Sequence, residues 1–275
     1  MKKAVNAAIA ESSLNMEETF AAIAKAGFEG IELGLDREKG NHSLSMASTE
    51  EDFAEVRELS EKYQLPVTSL CSGYWGSMMG VEAQHEEAAT ILFKTIEAAK
   101  AVGADAILIV PGGMGNGVTL DQARRSCIKF LKKYKEEIER QGIYVGVENV
   151  WNGFFLSPYD MASFIDEVDS SMIGAYLDVG NIIAISEPEY WIEILGNRIG
   201  RVHVKDFLRT GRINAGGAWK DITHGTGNWK AIIPLLRKAG YDGYVVGEVF
   251  KRDEAMPYED YYIKVSGEIG EIITY

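Results

Sequence analysis

The chain alternates between two hydrophobic periods. Short runs rich in β-branched and apolar residues recur along it, and the segments between them carry apolar residues at spacings of three and four, as amphipathic helices do. Eight such runs begin between Lys3 and Gly243, about 34 residues apart on average, which is enough for one strand and one crossover helix. They read KAVNAA, GIELGL, PVTSLCSG, AILIVPGG, YVGVENV, IGAYLDVGN, RVHVKDF and GYVVGEVF.

Local signals mark the ends of the predicted helices. Asn15 with Glu18, and Ser48 with Glu51, have the spacing of capping boxes, in which a side-chain acceptor is answered by a carboxylate three residues on. The segments KAGFEGIEL and KAGYDGYVV both end a helix with lysine, turn through a glycine and enter a strand. The repeated unit is therefore a helix followed by a strand.

A βα unit repeated about eight times most simply closes into a single (β/α)8 TIM barrel, with residues 1–275 forming one domain. A doubly wound open sheet is the alternative. Its dinucleotide-binding version requires a GxGxxG motif after the first strand, and the chain has none there.

Composition narrows the classes of partner. The formal net charge of -13 and the pI near 4.9 argue against wrapping nucleic acid, because phosphates demand a basic surface. No run approaches the ~18 apolar residues of a membrane span. The apolar stretch near residue 1 is short and soon interrupted, so we do not expect it to act as a signal peptide. Two cysteines, Cys71 and Cys127, cannot build a disulfide framework, so a cytoplasmic location is expected.

Ionisable residues stand at the ends of the last four predicted strands. Glu148 follows YVGV, Asp178 follows GAYL, His203 lies in RVHV, and Glu248 follows YVVG. The carboxyl ends of barrel strands meet at one mouth, where three unpaired carboxylates would repel one another or take up protons. A divalent cation resolves this conflict. Three carboxylates and one imidazole suit Mn²⁺ first, with Mg²⁺, Co²⁺ or Zn²⁺ as alternatives.

The segments VENVWN, LDVGN, RVHVKD and GEV, in this order on strands five to eight, resemble the sugar isomerase and epimerase branch of the xylose-isomerase-like barrels. The resemblance covers essentially the whole chain, although its specific motifs lie in the second half. It implies that Glu148, Asp178, His203 and Glu248 bind one divalent metal. It also implies that Glu148 and Glu248 serve as the catalytic acid and base.

The expected reaction is C3 epimerisation of a small ketose or ketose phosphate. A carboxylate on each face of a planar enediolate can remove a proton from one side and return it on the other. Alternatives within the family are an inosose-type dehydratase and a hydroxypyruvate-type aldose–ketose isomerase. A more distant alternative is an abasic-site endonuclease, but the negative net charge and the small number of histidines, four in all, argue against it. Another is a catalytically silent sugar-binding barrel.

Four further residues are predicted to bind substrate. Asn181 stands where many family members have a histidine, and Lys205 shares the inward parity of His203. A salt bridge to the neighbouring carboxylates is an equally good account of Lys205. Arg209 lies in a long glycine-rich loop with Arg212, and Trp75 follows strand three as an apolar wall for the sugar.

Other polar positions are expected to be structural. Glu32 shares parity with Gly30 and Gly34, which would turn it towards the barrel mouth, and we expect it to pair with Lys205 or an arginine. Asp206 points the other way, and the glycines of HGTGNW are expected to turn the chain rather than approach a phosphate. His42 and His85 receive no role. Resemblance alone implies a homodimer or homotetramer.

Overall fold

Eight parallel strands form the centre of the molecule. The structure, a computed structural model, describes all residues from Met1 to Tyr275. The strands are β1 Lys2–Asn6, β2 Gly30–Asp36, β3 Val67–Ser72, β4 Ala106–Ile109, β5 Tyr144–Glu148, β6 Ile173–Asp178, β7 Ile199–Val204 and β8 Tyr244–Gly247. A short strand, Ser43–Ser45, extends the edge of β2.

A helix follows each strand on the outside of the barrel. The helices are α1 Met16–Lys25, α2 Glu50–Tyr63, α3 His85–Val102, α4 Leu120–Gln141, α5 Pro158–Val168, α6 Pro188–Leu195, α7 Trp229–Lys238 and α8 Tyr258–Ile272. A one-turn helix, Val179–Ile183, precedes α6. None of these helices is long and apolar enough to cross a membrane.

The sheet is closed. Each strand from β2 to β8 pairs in parallel with the next, and β1 pairs with both β2 and β8. The predicted (β/α)8 TIM barrel is therefore confirmed. A continuous cluster of 72 buried residues fills the space between the strands and the helices, so the carboxyl ends of the strands are held on a rigid support.

One of the two predicted capping boxes is correct. Asn15 and Glu18 cap α1 reciprocally, as expected. The box predicted at Ser48 is wrong by one residue, because Thr49 is the N-cap of α2 and Asp52 is its partner. The hydroxyl of Ser48 instead accepts a hydrogen bond from the backbone amide of Ser45, the last residue of the short strand.

The long loop after β7 contains an antiparallel hairpin, Asp206–Arg209 paired with Gly217–Lys220. Asp206 is fully buried and accepts hydrogen bonds from the backbone amides of Gly225 and Gly227, each at 3.1 Å, and from the indole of Trp229 at 3.0 Å. A Cβ at Gly225 would lie 2.0 Å from Asp206 Oδ1, so only glycine fits this close approach. As expected, Asp206 and the glycines are structural.

Candidate metal centre

The four predicted ligands converge at the mouth of the barrel. Glu148 and Asp178 end β5 and β6, His203 lies one residue before the end of β7, and Glu248 follows β8. One potential ligand atom from each residue lies within 4.8 Å of the others. His203 Nδ1 is 3.4 Å from Glu148 Oε1 and 3.8 Å from Glu248 Oε2. The alternation of the pleat aims all four side chains at one point.

Glu32 lies on the far side of the His203 ring. Its Oε1 is 2.8 Å from His203 Nε2, and both side chains are fully buried. The expectation that Glu32 pairs with Lys205 or an arginine is therefore wrong. Lys205 lies with the carboxylates at the mouth, whereas Glu32 enters the barrel one layer deeper, beside the Nε2 edge of the His203 ring.

Glu32 is saturated with hydrogen bonds. In addition to His203, it accepts bonds from Asn6 Nδ2 and Ser69 Oγ, both at 2.7 Å, and from the hydroxyl of Tyr176. Burial opposes its charge, but His203 and the donated hydrogen bonds lower the pKa of Glu32 to about 2. An ionised Glu32 binds the proton on His203 Nε2, which directs the Nδ1 lone pair towards the three other ligands.

Burial and mutual repulsion control the carboxylates at the mouth. Burial raises the pKa of Glu148 to about 7; Glu248 and Asp178 contribute to the shift, and His203 opposes it. Burial also raises the pKa of Glu248. A carboxyl group whose pKa lies near neutrality can both take and return a proton there.

Lys205 reaches into the carboxylate cluster, as its parity predicts. Its Nζ is 2.7 Å from Asp178 Oδ2 and also contacts Glu248 Oε2. Burial lowers the pKa of Lys205, but the charges of Asp178 and Glu248 outweigh this and raise it. Gly180 makes room for this side chain, since a Cβ there would lie 2.1 Å from Lys205 Cγ. The ammonium group is the one cation in direct contact with these carboxylates.

Asn181 lies beside the cluster and is already partly engaged. Its backbone amide donates to Asp178 Oδ1 at 2.8 Å, and its Nδ2 donates to the Asn149 carbonyl at 2.9 Å. Its backbone carbonyl accepts the indole hydrogen of Trp151 at 2.8 Å. The Oδ1 of Asn181 makes no hydrogen bond within the protein.

Two indoles that the sequence analysis missed lie at the rim. Trp151 is 52% exposed and stacks on Trp219 with 5.0 Å between ring centroids. Lys205 Nζ is 5.3 Å from the centroid of the Trp219 ring, which links this pair to the carboxylate cluster. Trp151 lies within VENVWN, three residues after Glu148, and this proximity was the available signal.

Two predicted substrate residues lie elsewhere. Trp75 has no exposed surface and packs in the core, because the following turn lies against the backbone of Val110, with no room for a Cβ at Gly76. Arg209 forms a forked ion pair with Glu187 at 2.9 and 3.1 Å. Neither side chain joins the cluster.

A cavity of about 440 Å³ opens beside Glu248. Its walls come from the loops after β1 and β2 and from the end of β3. Most of the side chains that line it are polar or acidic, and two alanines, Ala7 and Ala8, also line it. The others are Asn6, Ser12, Asp36, Asn41, His42, Ser43, Cys71 and Glu248. A larger pocket of about 790 Å³ surrounds Tyr144 and Arg198 at the opposite end of the barrel, away from the cluster. The smaller cavity is therefore the candidate substrate site.

The donor set fits a divalent cation. Three carboxylates and one imidazole nitrogen lie within mutual reach, and burial raises the pKa values of Glu148 and Glu248 although Lys205 contacts the cluster. Oxygen-rich ligation with one nitrogen suits Mn²⁺, Mg²⁺ or Co²⁺, and also Zn²⁺.

The fold and this cluster define a class of protein, a TIM barrel with a candidate metal site at the carboxyl ends of its last four strands. The profile of the xylose isomerase-like TIM barrels matches residues 20–265. The chain belongs to this family.

Solved structures with the same fold cover the whole chain. The 3-keto-D-glucoside 4-epimerase YcjR from E. coli superposes with a TM-score of 0.76 at 21% identity, over 100% of both chains. An L-ribulose 3-epimerase gives a TM-score of 0.79 at 18% identity over 99% of this chain and 94% of its own. The IolI protein, solved with a bound zinc atom, gives 0.78 at 17% identity over 100% and 98%.

One curated relative shares a stretch of sequence. The 3-oxo-isoapionate decarboxylase of Pectobacterium atrosepticum is 30% identical over 95 residues. The match spans 34% of this chain and 34% of that protein, about a third of each.

Proposed function

We propose that the protein is a metal-dependent epimerase that inverts C3 of a small ketose through an enediolate. The observation that carries the proposal is the convergence of Glu148, Asp178, His203 and Glu248, with two protonatable carboxylates among the four. The named activities of the structural neighbours, epimerisation of a ketoglucoside at C4 and of ribulose at C3, support this class of chemistry.

In the proposed reaction, one of Glu148 and Glu248 removes the proton on the carbon beside the ketone. The other carboxyl group returns a proton to the opposite face of the planar enediolate, which inverts the carbon. The four ligand residues would hold the cation, and Mn²⁺ is the ion we propose. When bound, that cation supplies Lewis-acid stabilisation of negative charge on the sugar oxygens.

The surroundings of the pair favour proton transfer. Glu148 is buried, so little water competes for its proton. Lys205 holds Asp178 and Glu248 in place through its ammonium group. The same ammonium can donate to a substrate oxygen when the sugar displaces one of these contacts.

The proposal also includes a single domain over residues 1–275 and a cytoplasmic location. The continuous core supports the first part. Cys71 and Cys127 are both free, which is compatible with a reducing compartment.

Solvent deuterium exchange tests the reaction. The protein with Mn²⁺ is incubated in D₂O with a panel of ketoses, and NMR identifies the labelled carbon and the epimer. We expect label at C3, and Glu248→Gln is expected to abolish the exchange while the fold is retained. Glu38→Gln, a change to an exposed loop residue, is the matched control. Near-normal exchange in Glu248→Gln would refute the assignment, and loss of water from an inosose would indicate dehydration instead.

Decarboxylation of a 3-oxo acid is a second candidate. Lys205 places an ammonium group where a substrate carboxylate could bind, and the matched relative is named for such a reaction. The bond between the carboxylate carbon and the neighbouring carbon breaks, and its electron pair moves to the ketone oxygen as carbon dioxide leaves. Glu148 or Glu248 then protonates the enolate carbon. Carbon dioxide release from 3-oxo sugar acids, with no exchange into ketoses, would favour this reaction.

A further inference from the structure

We propose that the substrate is uncharged at the end remote from its reacting carbons, and that Asp36, Asn41 and His42 recognise its hydroxyl groups there and reject a phosphate. This rests on the proposed function, which places the reacting carbons at Glu248. Asp36 is the last residue of β2, and Asn41 and His42 lie in the loop that follows it; the sequence analysis gave none of the three a role.

The cavity beside Glu248 has the size and lining of a sugar site. Its volume of about 440 Å³ lies within the ~300–1,000 Å³ that small-molecule sites occupy. Its side chains offer hydroxyl, amide, imidazole and carboxylate groups, and the backbones of Gly34, Gly40 and Gly73 complete the walls. No lysine or arginine lines it. Such a wall satisfies sugar hydroxyls but leaves a phosphate without a counter-charge.

The charge in and around the cavity is negative. Asp36 lies in its lining without an ion pair, whereas Glu248, also in the lining, is paired with Lys205. A phosphate carries about -1.5 to -2 charges near neutrality, so each carboxylate within a few ångströms would repel it. A hydroxyl group in the same place can donate a hydrogen bond to the Asp36 carboxylate, and this difference is the basis of discrimination.

Two of the cations that could have bound a phosphate at the mouth, Lys205 and Arg209, are already paired. Lys205 contacts Asp178 and Glu248, and Arg209 is forked onto Glu187. A phosphate at either site would have to displace a carboxylate that is already in contact with the cation.

The backbone amides of HGTGNW are occupied in the same way. Gly225 and Gly227 donate their amide hydrogens to the buried carboxylate of Asp206. A nest of amides that already holds a carboxylate has no free donors for a phosphate. The two exposed arginines on this side, Arg37 and Arg212, make no ion pair, so the test includes both.

His42 is the side chain best suited to recognise a hydroxyl. Its Nδ1 is enclosed without a hydrogen-bond partner, so no protein group fixes the ring. A buried nitrogen without a partner is costly, and a turn of the ring towards a ligand hydroxyl relieves that cost. Asn41 ties this loop to the loop after β1, because its Nδ2 donates to the Ser12 carbonyl at 2.8 Å. The loop is therefore held at the cavity.

The test compares matched pairs of sugars on the Mn²⁺-loaded protein: D-fructose with D-fructose 6-phosphate, and D-xylulose with D-xylulose 5-phosphate. Binding is measured by calorimetry, and solvent deuterium exchange is measured in parallel. We expect the free sugar of each pair to bind at least about tenfold more tightly and to exchange at least about tenfold faster. His42→Ala should raise KM several-fold with kcat nearly unchanged, and His42→Gln should restore much of the loss.

Asp36→Lys is the decisive variant, because it reverses one charge in the cavity wall. Asp36→Lys should reduce the ratio of the affinities for free and phosphorylated sugar at least tenfold. Glu38→Lys, two residues further on and outside the cavity, should leave this ratio unchanged. Binding and exchange of the phosphorylated sugars equal to or better than those of the free sugars would overturn the proposal. The case against it would be strongest if Arg37→Ala or Arg212→Ala abolished the binding of the phosphorylated sugar. Failure of both members of a pair to bind would also overturn it. Preferential binding of free sugars without exchange would contradict the proposed function alone.

Discussion

Replacing Glu32 with glutamine tests whether the buried acid behind His203 controls the metal centre. Glutamine keeps the shape of the side chain and removes its charge. It also places an amide group, which donates hydrogen bonds, among four donors: His203 Nε2 at 2.8 Å, Asn6 and Ser69 at 2.7 Å, and the Tyr176 hydroxyl. At least one donor then faces another, and the His203 tautomer is no longer fixed.

The expected effects are large on metal binding and moderate on stability. Loss of a carboxylate that orients a histidine ligand typically weakens metal binding about 10- to 100-fold. Removing one partner of a buried pair costs about 3–5 kcal/mol, and the retained shape of glutamine should reduce that to about 2–3 kcal/mol. For a chain of this size, each kcal/mol lowers Tm by about 2–4 °C.

Calorimetric titration with Mn²⁺ measures the first effect, and urea unfolding with and without Mn²⁺ measures the second. Glu38→Gln removes a carboxylate from an exposed position and is the matched control. If Glu32→Gln bound Mn²⁺ as tightly as the control did, Glu32 would not orient His203, and this account of the centre would be wrong.

Three further changes test other parts of the structure. Burial raises the pKa of Glu268 to about 7; Asp221 adds to the shift, and Lys264 and His224 oppose it. In the unfolded state the pKa of this carboxyl group is near 4.5, so the folded state binds the proton more tightly. Stability should therefore fall by about 1–2 kcal/mol between pH 4.5 and pH 7, after allowance for solvent screening, and urea midpoints of Glu268→Gln should lack this part of the decline. Asp206→Ala leaves buried donors without an acceptor and should lower the free energy of unfolding by about 3 kcal/mol, whereas a loss below about 1 kcal/mol in urea would contradict its structural role. Trp151→Ala should raise KM for the accepted sugar about two- to tenfold with little change in Tm, and an unchanged KM would show that the exposed indole does not contact substrate.

Much of the fold follows from short-range patterns. A strand that is buried on both faces reads as an apolar run, and an outer helix shows apolar residues at spacings of three and four. Eight such units have few ways to bury their surfaces, and closure into a barrel is the simplest. Ser48 and Thr49 are adjacent candidates for the N-cap of α2, and pattern alone selected the wrong one. The Ser48 hydroxyl already accepts a hydrogen bond from the Ser45 amide, and Thr49 is the N-cap.

The metal ligands could be found for the same reason. Glu148, Asp178, His203 and Glu248 occupy equivalent positions at strand ends, and parallel strands in a closed barrel bring equivalent positions together. The sequence by itself therefore determined the barrel, the face that carries the site and the four converging side chains.

Contacts between distant segments were decided only by the tertiary structure. Glu32 and His203 are 171 residues apart, and depth within the barrel, which parity does not report, made them partners. Trp75 and Trp151 both follow strands, yet the backbone of Val110, directly after β4, encloses Trp75, whereas Trp151 stays half exposed beside the hairpin after β7. Periodicity reports which face of an element a residue is on, but the neighbour that the residue meets depends on how all the elements pack together.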